Sequence, residues 1–379
     1  MLIIKQDDYD RFQCIAGACP KSCCEGWQIV IDKEALEEYE ETEGTFRRRL
    51  MEGIDWEEGA FSQNGRRCSM LNAQGLCDLQ LALGEQALCY TCDMYPRHME
   101  EYRDVREYSL SLSCPEAARM VVMREEPYHF LREEYPGYDD PEDYEDFDDA
   151  LYERLVESRE EMYQLAQDRS FSIWERCKKI MDAAYEIQLA IEKGLQDDSV
   201  ASQKDKEDNM GDAKDLMEDS EDKSLIRSLC QIRDKSASPE LRWDIDPLYE
   251  LEHLEPDWID RLERAGEYLS HFSAEAGRDD RITLSQREEI ALEQILMMLL
   301  YTYYTGAVYD DEVYAKAGLC VCSVIWIAIL YRSQYPTEDL TGLQQVVYLY
   351  AREVEHSDRN LDRIEEMFIL HGENQSDEL

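Results

Sequence analysis

Nine of the thirteen cysteines lie within the first 114 residues: Cys14, Cys19, Cys23, Cys24, Cys68, Cys77, Cys89, Cys92 and Cys114. Thiols crowded this way are cross-linked, hold a metal, or are buried singly as inert side chains. The opening MLIIKQDDYDRF has no basic stretch leading into a long apolar run, so it does not read as a secretion signal. The terminal SDEL then reads as a coincidence and not as a retention tail. A cytoplasmic, reducing setting is the expectation. There, an odd number of clustered cysteines points to metal or redox chemistry more than to a disulfide frame.

The spacings run C-x4-C-x3-C-C, then C-x8-C-x11-C-x2-C, then C-x21-C. Thiolates suit soft or borderline metals, and four of them suit either tetrahedral zinc or an iron–sulfur cluster. Ligands close in sequence lower the entropy of closing a site, which makes Cys89-x2-Cys92 a good half-site and Cys19-x3-Cys23 a second. Adjacent Cys23 and Cys24 diverge along an extended backbone, so one of them is expected to serve another role, redox sensing included. The spacing typical of radical enzymes that cleave S-adenosylmethionine is absent, as are the ferredoxin and zinc-ribbon spacings. Metal identity stays open between iron–sulfur, with a four-iron cluster preferred, and zinc. Of the remaining thiols, Cys177, Cys230, Cys320 and Cys322, the last two sit in the apolar run GLCVCSVIWIAIL (318–330) and read as core. That run is too short to span a bilayer.

The expected fold is mainly α: a Cys-rich N-terminal metal-binding segment with short strands over 1–125, an acidic connector over 126–149, and a helical domain over 150–379. Strand patterning is clearest at WQIVID (27–32) and REYSLSLS (106–113). Helical spacing begins near Ala150, with a stop expected at Gly194. Residues 196–223 hold few large apolar side chains and are expected to form a disordered acidic loop. Helical patterning returns from 224. One helix starts near Pro256, and Ser285 with Glu288 has capping-box spacing. Further helices are expected over about 311–333, 337–355 and 358–370. The net charge of −46 would repel nucleic acid and favours basic partners.

Several blocks resemble the flagellin lysine-N-methylase family: CIAGACPKSCCEGWQIVID (14–32), GRRCSMLNAQGLCDLQLALGEQALCYTCDMYPRHMEEY (65–102), SLSLSCPEAARM (109–120) and YLYAREVEHSDRNLDRIEEM (348–367). The second block is shared more widely with small cysteine-cluster proteins that chelate zinc or iron. The resemblance implies methyl transfer from S-adenosylmethionine to surface lysines of flagellin. It also implies an iron–sulfur centre on the nine cysteines named above. Gly26 and Trp27 fall on the family's GW pair, and Tyr95, Pro96 and Arg97 on its YPR. The chain departs from the pattern at LLYTYYTGAVYD (299–310), where an arginine is expected among the aromatics.

Methyl transfer to lysine needs a neutral amine, whose ordinary pKa lies well above 7, so the site must desolvate it or take its proton. A sulfonium donor suits aromatic faces and carboxylates. Tyr90, Tyr95 and His98 are the catalytic candidates, and Trp27 and Arg97 the cofactor-binding ones. No G-x-G-x-x-G or βαβ alternation occurs, which argues against the common doubly wound methyltransferase fold. The alternative is a non-catalytic zinc- or iron-binding cysteine-cluster protein that presents a partner surface.

Overall fold

The computed structural model describes residues 1–136, 144, 147–204, 244–271 and 282–376. The protein is mostly helical, with a small sheet near its N-terminus. Cys230, most of the acidic stretch 137–146 and residues 205–223 of the expected loop lie outside the described residues. The chain forms two compact units. The first comprises Met1–Asp143, Leu248–Phe272 and Ile329–Asn360, and the second Tyr144–Pro247, Ser273–Ala328 and Leu361–Leu379.

The strands are β1 (Leu2–Gln6), β2 (Ile54–Asp55), β3 (Ala60–Phe61), β4 (Gln63–Asn64), β5 (Arg67–Cys68), β6 (Arg97–Tyr102), β7 (Val105–Leu110) and β8 (Phe130–Glu134). Four of them make a sheet in the order β6-β7-β1-β8; β1 runs parallel to β7, with Leu2 opposite Val105. Gln6 closes β1 without exposure, and both ends of its amide are used. Its Oε1 accepts from the Leu110 N–H at 2.9 Å, and its Nε2 donates to Asp8 at 2.7 Å. A buried amide must be satisfied in this way, and here the bonds fix the chain just before Ser111.

The strand expected over 27–32 does not form. Its alternation is real, because Ile29 and Ile31 are buried and Val30 is exposed. Its backbone, however, meets only the two-residue strand β3 and the turn before it: Ile31 N–H reaches Gly59, Phe61 N–H reaches Ile29, and Val30 faces Ala60 as an isolated bridge. The strand expected over 106–113 is β7, which ends at Leu110.

The helix Pro115–Val122 starts with proline in its first turn, where no N–H is missed. It packs against the helix Leu340–Val354, and Gln344 Nε2 donates to the Pro115 carbonyl at 2.9 Å. This contact sets residues 352–356 beside residues 111–114.

In the second unit the helix Asp149–Ala166 is capped by Asp148, and Gln286–Tyr303 by the expected Ser285–Glu288 box. The helix Ile173–Lys204 runs through Gly194 without stopping. One glycine costs only about 1 kcal/mol in a helix, which the rest of the helix offsets. Arg176 and Glu293, 1% and 0% exposed, pair at 2.7 Å, and Arg169 joins them at 2.8 Å. Arg159 supplies a guanidinium to the aromatic stretch 299–310: it lies 5.4 Å from the Tyr301 ring centre and donates to Thr305 at 3.0 Å. The helix Val313–Gln334 is long and apolar enough to cross a membrane, but 94% of its most apolar window is buried inside the protein.

Candidate functional site: a thiol-rich loop layer and a hydroxyl-lined junction

The thiols sit on short elements held by side-chain caps. Asp32 accepts from Ala35 N–H at 2.9 Å and from Tyr90 N–H at 2.7 Å. It thereby ties the helix Lys33–Glu41 to the start of the Cys89–Cys92 turn. Cys68 N–H donates to the Cys24 carbonyl at 2.8 Å, and Leu71 bridges Cys77. Cys89 and Cys114 occupy the N-cap positions of the helices Tyr90–Met94 and Pro115–Val122. Cys68 and Cys89 are buried in a core with Ile29, Ile31 and Phe61, and Cys24, Cys77 and Cys92 pack against it. Cys114 belongs to a second core with Phe12 and Leu110. Cys14 is exposed, Cys19 and Cys23 are partly buried, and all nine are free thiols.

Among the described residues, no three Cys, His, Asp or Glu side chains are already gathered as a metal-ligand set. The thiols meet instead in pairs. The hydrogen bond between Cys23 and Cys24 raises the Cys23 pKa and, against burial, lowers that of Cys24 to about 7. Likewise the bond between Cys92 and Cys89 raises Cys92 and lowers Cys89. Burial, with neighbouring cysteine charges adding to it, lifts Cys68 to about 12 and Cys114 to about 11. The charge of Cys24 is felt at Cys19, Cys68, Cys77 and Cys92, and Cys23 feels Cys14 and Cys114 and is itself felt at Cys92, so the thiols share one electrostatic neighbourhood.

Beside this layer lies a polar junction. Gly26 has φ +117°, and a Cβ there would lie 3.0 Å from Arg352 Nη2. Glycine therefore lets the Arg352 guanidinium pass close to the backbone, where it donates to the Glu25 carbonyl. The guanidinium also stacks over the Trp27 ring at 4.2 Å and faces Glu255 at 3.4 Å. Glu255 in turn pairs with Lys21 at 2.6 Å. His356 stacks on Trp27 with ring centres 4.1 Å apart. Its Nε2 lies 2.7 Å from Ser113 Oγ; Ser113 Oγ lies 3.0 Å from the Tyr95 hydroxyl and 2.7 Å from Ser111 Oγ, which donates to Glu355 at 3.1 Å. Burial lowers the His356 pKa to about 4, with the Arg352 charge adding to the effect, so the ring is neutral at pH 7. Burial raises Glu355 to about 7, against the Ser111 bond and the charge of His98.

The predicted site residues fall in different places. Tyr95 and Trp27 are both in the junction, 5.6 Å apart. The Trp27 ring already carries Arg352 and His356. His98 is on β6, 2.6 Å from Glu100; burial opposes its charge, yet Glu100 holds its pKa above the ordinary value. Arg97 stands 5.6 Å from the Phe12 ring centre. Tyr90 is exposed, and only its backbone N–H is held, by Asp32. Sequence reasoning did not single out Ser111, Ser113, Arg352, Glu355 and His356. The signal was present, since they lie within the SLSLSC and YLYAREVEH blocks, but no local spacing pairs residues some 240 positions apart.

These observations define a class: a mainly helical protein with a free-thiol loop layer flanked by a neutral histidine, hydroxyls and a high-pKa carboxyl. Comparison with known proteins names the family. The profile of the FliB lysine N-methylase C-terminal domain matches residues 159–378, more than half of the chain, and the chain belongs to this family. It is 31% identical over 121 residues to the lysine-N-methylase of Salmonella typhimurium (strain LT2), 30% of each chain. The flagellar biosynthetic protein FliU of Salmonella muenchen is 32% identical over 121 residues, 30% of this chain and 72% of the relative. The match thus spans under a third of the lysine-N-methylase from strain LT2. No solved structure matches the chain.

Proposed function

We propose that this protein transfers methyl groups from S-adenosylmethionine to the side-chain amines of flagellin lysines in the cytoplasm, with its cysteines holding an iron–sulfur centre. One observation carries the reading. Four sequence blocks that resemble the family converge within the first unit, where the side chains of Trp27, Tyr95, Ser113 and His356 touch.

The chemistry asks for a neutral amine. Its nitrogen displaces the methyl group from the sulfonium, forming the N–C bond as the S–C bond breaks, and the nitrogen must shed a proton. Aromatic walls at Trp27 and Tyr95 favour a desolvated, uncharged amine beside a cationic donor.

The donor set fits an anionic, thiolate-held centre. Arg352 is 1% exposed, and its Nη1 has no hydrogen-bond partner among the described residues. A buried unpaired N–H is costly, and a cluster bound by thiolates is a natural acceptor for it. The Arg352 charge already acts on Cys19. Cys14, Cys19, Cys23, Cys24, Cys68, Cys77, Cys89, Cys92 and Cys114 are the thiols from which the centre would take its ligands. When bound, the centre supplies a rigid cross-link between loop segments and a redox-active anion. Free thiols and a reducing cytoplasm are mutually consistent.

The test is purification without oxygen, followed by the visible spectrum, the iron, sulfide and zinc content, and methylation of flagellin with labelled donor. Broad absorbance near about 400 nm with matched iron and sulfide, and label on flagellin lysines, supports the reading. Colourless protein holding zinc, with no label transferred, supports the non-catalytic binding module instead.

A further inference from the structure

We infer that the hydroxyl chain Tyr95–Ser113–Ser111 carries the proton of the substrate lysine ammonium to Glu355. The inference rests on the lysine-methylase reading and supplies the step that reading requires.

Counting protons gives the chain a direction. A serine hydroxyl has one hydrogen to donate. Ser111 gives its hydrogen to Glu355, at 3.1 Å. The 2.7 Å contact between Ser111 and Ser113 is therefore donated by Ser113. Ser113 has then spent its only hydrogen and must accept from both remaining partners. Tyr95, at 3.0 Å, donates its phenol hydrogen, and His356 Nε2, at 2.7 Å, donates an N–H. Neutral His356 can do so only as the Nε2–H tautomer. Every hydroxyl thus points toward Glu355, and the Tyr95 oxygen is left with lone pairs to accept from a substrate.

The transfer balances. A lysine N–H bond breaks as the Tyr95 oxygen takes its proton. The Tyr95, Ser113 and Ser111 hydroxyls each pass one proton onward, and the Glu355 carboxylate becomes a carboxylic acid. The amine is left neutral with its electron pair free for the methyl carbon. Ser113 is fully buried, and Tyr95, Ser111, Glu355 and His356 are half-buried.

Burial lets Glu355 accept near neutral pH, against the pull of the groups that face it. They are Ser111 and the Leu112 N–H from the SLSLSC segment and His98 from β6, the latter paired with Glu100. His356 faces Arg352, whose positive charge opposes protonation of the ring, so His356 orients Ser113 and does not compete for the proton. Tyr95 is the residue that touches the substrate amine; Ser111, Ser113, His356 and Glu355 act through it.

The experiment is the pH profile of flagellin methylation by the intact holoprotein and its Glu355→Gln, Tyr95→Phe and Glu355→Asp variants. Glu355→Gln should lose about a hundredfold in rate at pH 7.5. The loss should shrink to a few-fold near pH 10, where the amine sheds its proton unaided. Tyr95→Phe should follow the same profile, and Glu355→Asp should recover part of the neutral-pH rate. A loss that stays constant from pH 7 to 10 would mean a structural role and would overturn the relay, as would no loss at all. A second readout is independent of turnover: carbon NMR of labelled glutamate carboxyls should show a group titrating near neutrality in the wild type that is missing from Glu355→Gln, while Glu353, which burial also lifts to about 7, remains in both. A wild type that transfers no label at any pH sinks the methylase reading and the relay with it, whereas label transfer without the titrating carboxyl sinks the relay alone.

Discussion

The two units use the same residue type in opposite ways. In the second unit Cys177, Cys320 and Cys322 are almost wholly buried among apolar side chains, and burial holds Cys177 and Cys320 above the ordinary thiol pKa, with the Glu365 charge adding to it at Cys320. In the first unit the thiols lie on short turns fixed by caps such as Asp32, and they hydrogen-bond to one another. One neighbour in each pair becomes the easier thiolate, Cys24 and Cys89. A thiol packed among hydrocarbon, such as Cys177, behaves as a small hydrophobe. Environment, and not residue identity, divides site from core.

The sharpest way to break that contrast is to exchange thiols for hydroxyls on both sides. Cys89→Ser with Cys92→Ser should abolish bound metal, whereas Cys320→Ser should leave metal content unchanged at a modest cost in stability. Metal analysis of the two purified variants decides it. Loss of metal from Cys320→Ser alone would erase the distinction.

The next effect tests what holds the second unit. Its buried charges are linked: Arg176 also donates to the Ala166 carbonyl at 2.8 Å and faces Glu289 at 3.7 Å. Glu293→Ala would strand Arg176, which is 1% exposed, without its 2.7 Å partner. Removing one member of a buried pair costs about 3–5 kcal/mol, measured by denaturant unfolding. A change under about 1 kcal/mol would show that water or rearrangement satisfies Arg176.

A smaller effect belongs to the first unit. Gly26→Ala forces a side chain into a left-handed backbone and against Arg352, whereas Gly44, at φ +95°, has open space around its Cβ position. Both variants bear the conformational cost, of about 1 kcal/mol. Gly26→Ala should cost about 1–2 kcal/mol more, because Arg352 must leave Trp27. Equal losses would show that the guanidinium stacking contributes little.

The same contrast explains what the sequence made legible. The capping box at Ser285 and the apolar helix Val313–Gln334 depend on residues within a few turns of one another, so periodicity finds them. Strand β1 went unnoticed because its pairing with β7 joins residues about a hundred positions apart. Residues 27–32 carry strand alternation, yet their backbone partner is the two-residue strand β3, too short to pair with six residues. The cysteines stood out by crowding. The hydroxyl chain did not, because serine and glutamate are ordinary in composition and gain meaning only when two segments meet.

The smallest predicted effect concerns long-range charge. With 86 acidic against 40 basic residues, the field draws lysine-bearing surfaces and weakens as salt rises. Association with flagellin, followed by stopped flow, should slow by about tenfold between 50 and 300 mM salt. The contrast between units sharpens this. Neutralising the exposed Glu34, Glu37 and Glu38 on the helix Lys33–Glu41 removes charge from the unit that holds the thiols. Neutralising the exposed Glu153, Glu157 and Glu160 removes as much from the other unit. If the substrate docks at the junction, the first set should slow association about twofold and the second less, because each loses most of its influence beyond about 10 Å at 0.1 M salt. A larger effect from the second set would move the docking face to the helical unit, and a rate that ignores salt would end the steering idea while leaving the thiol contrast and the relay untouched.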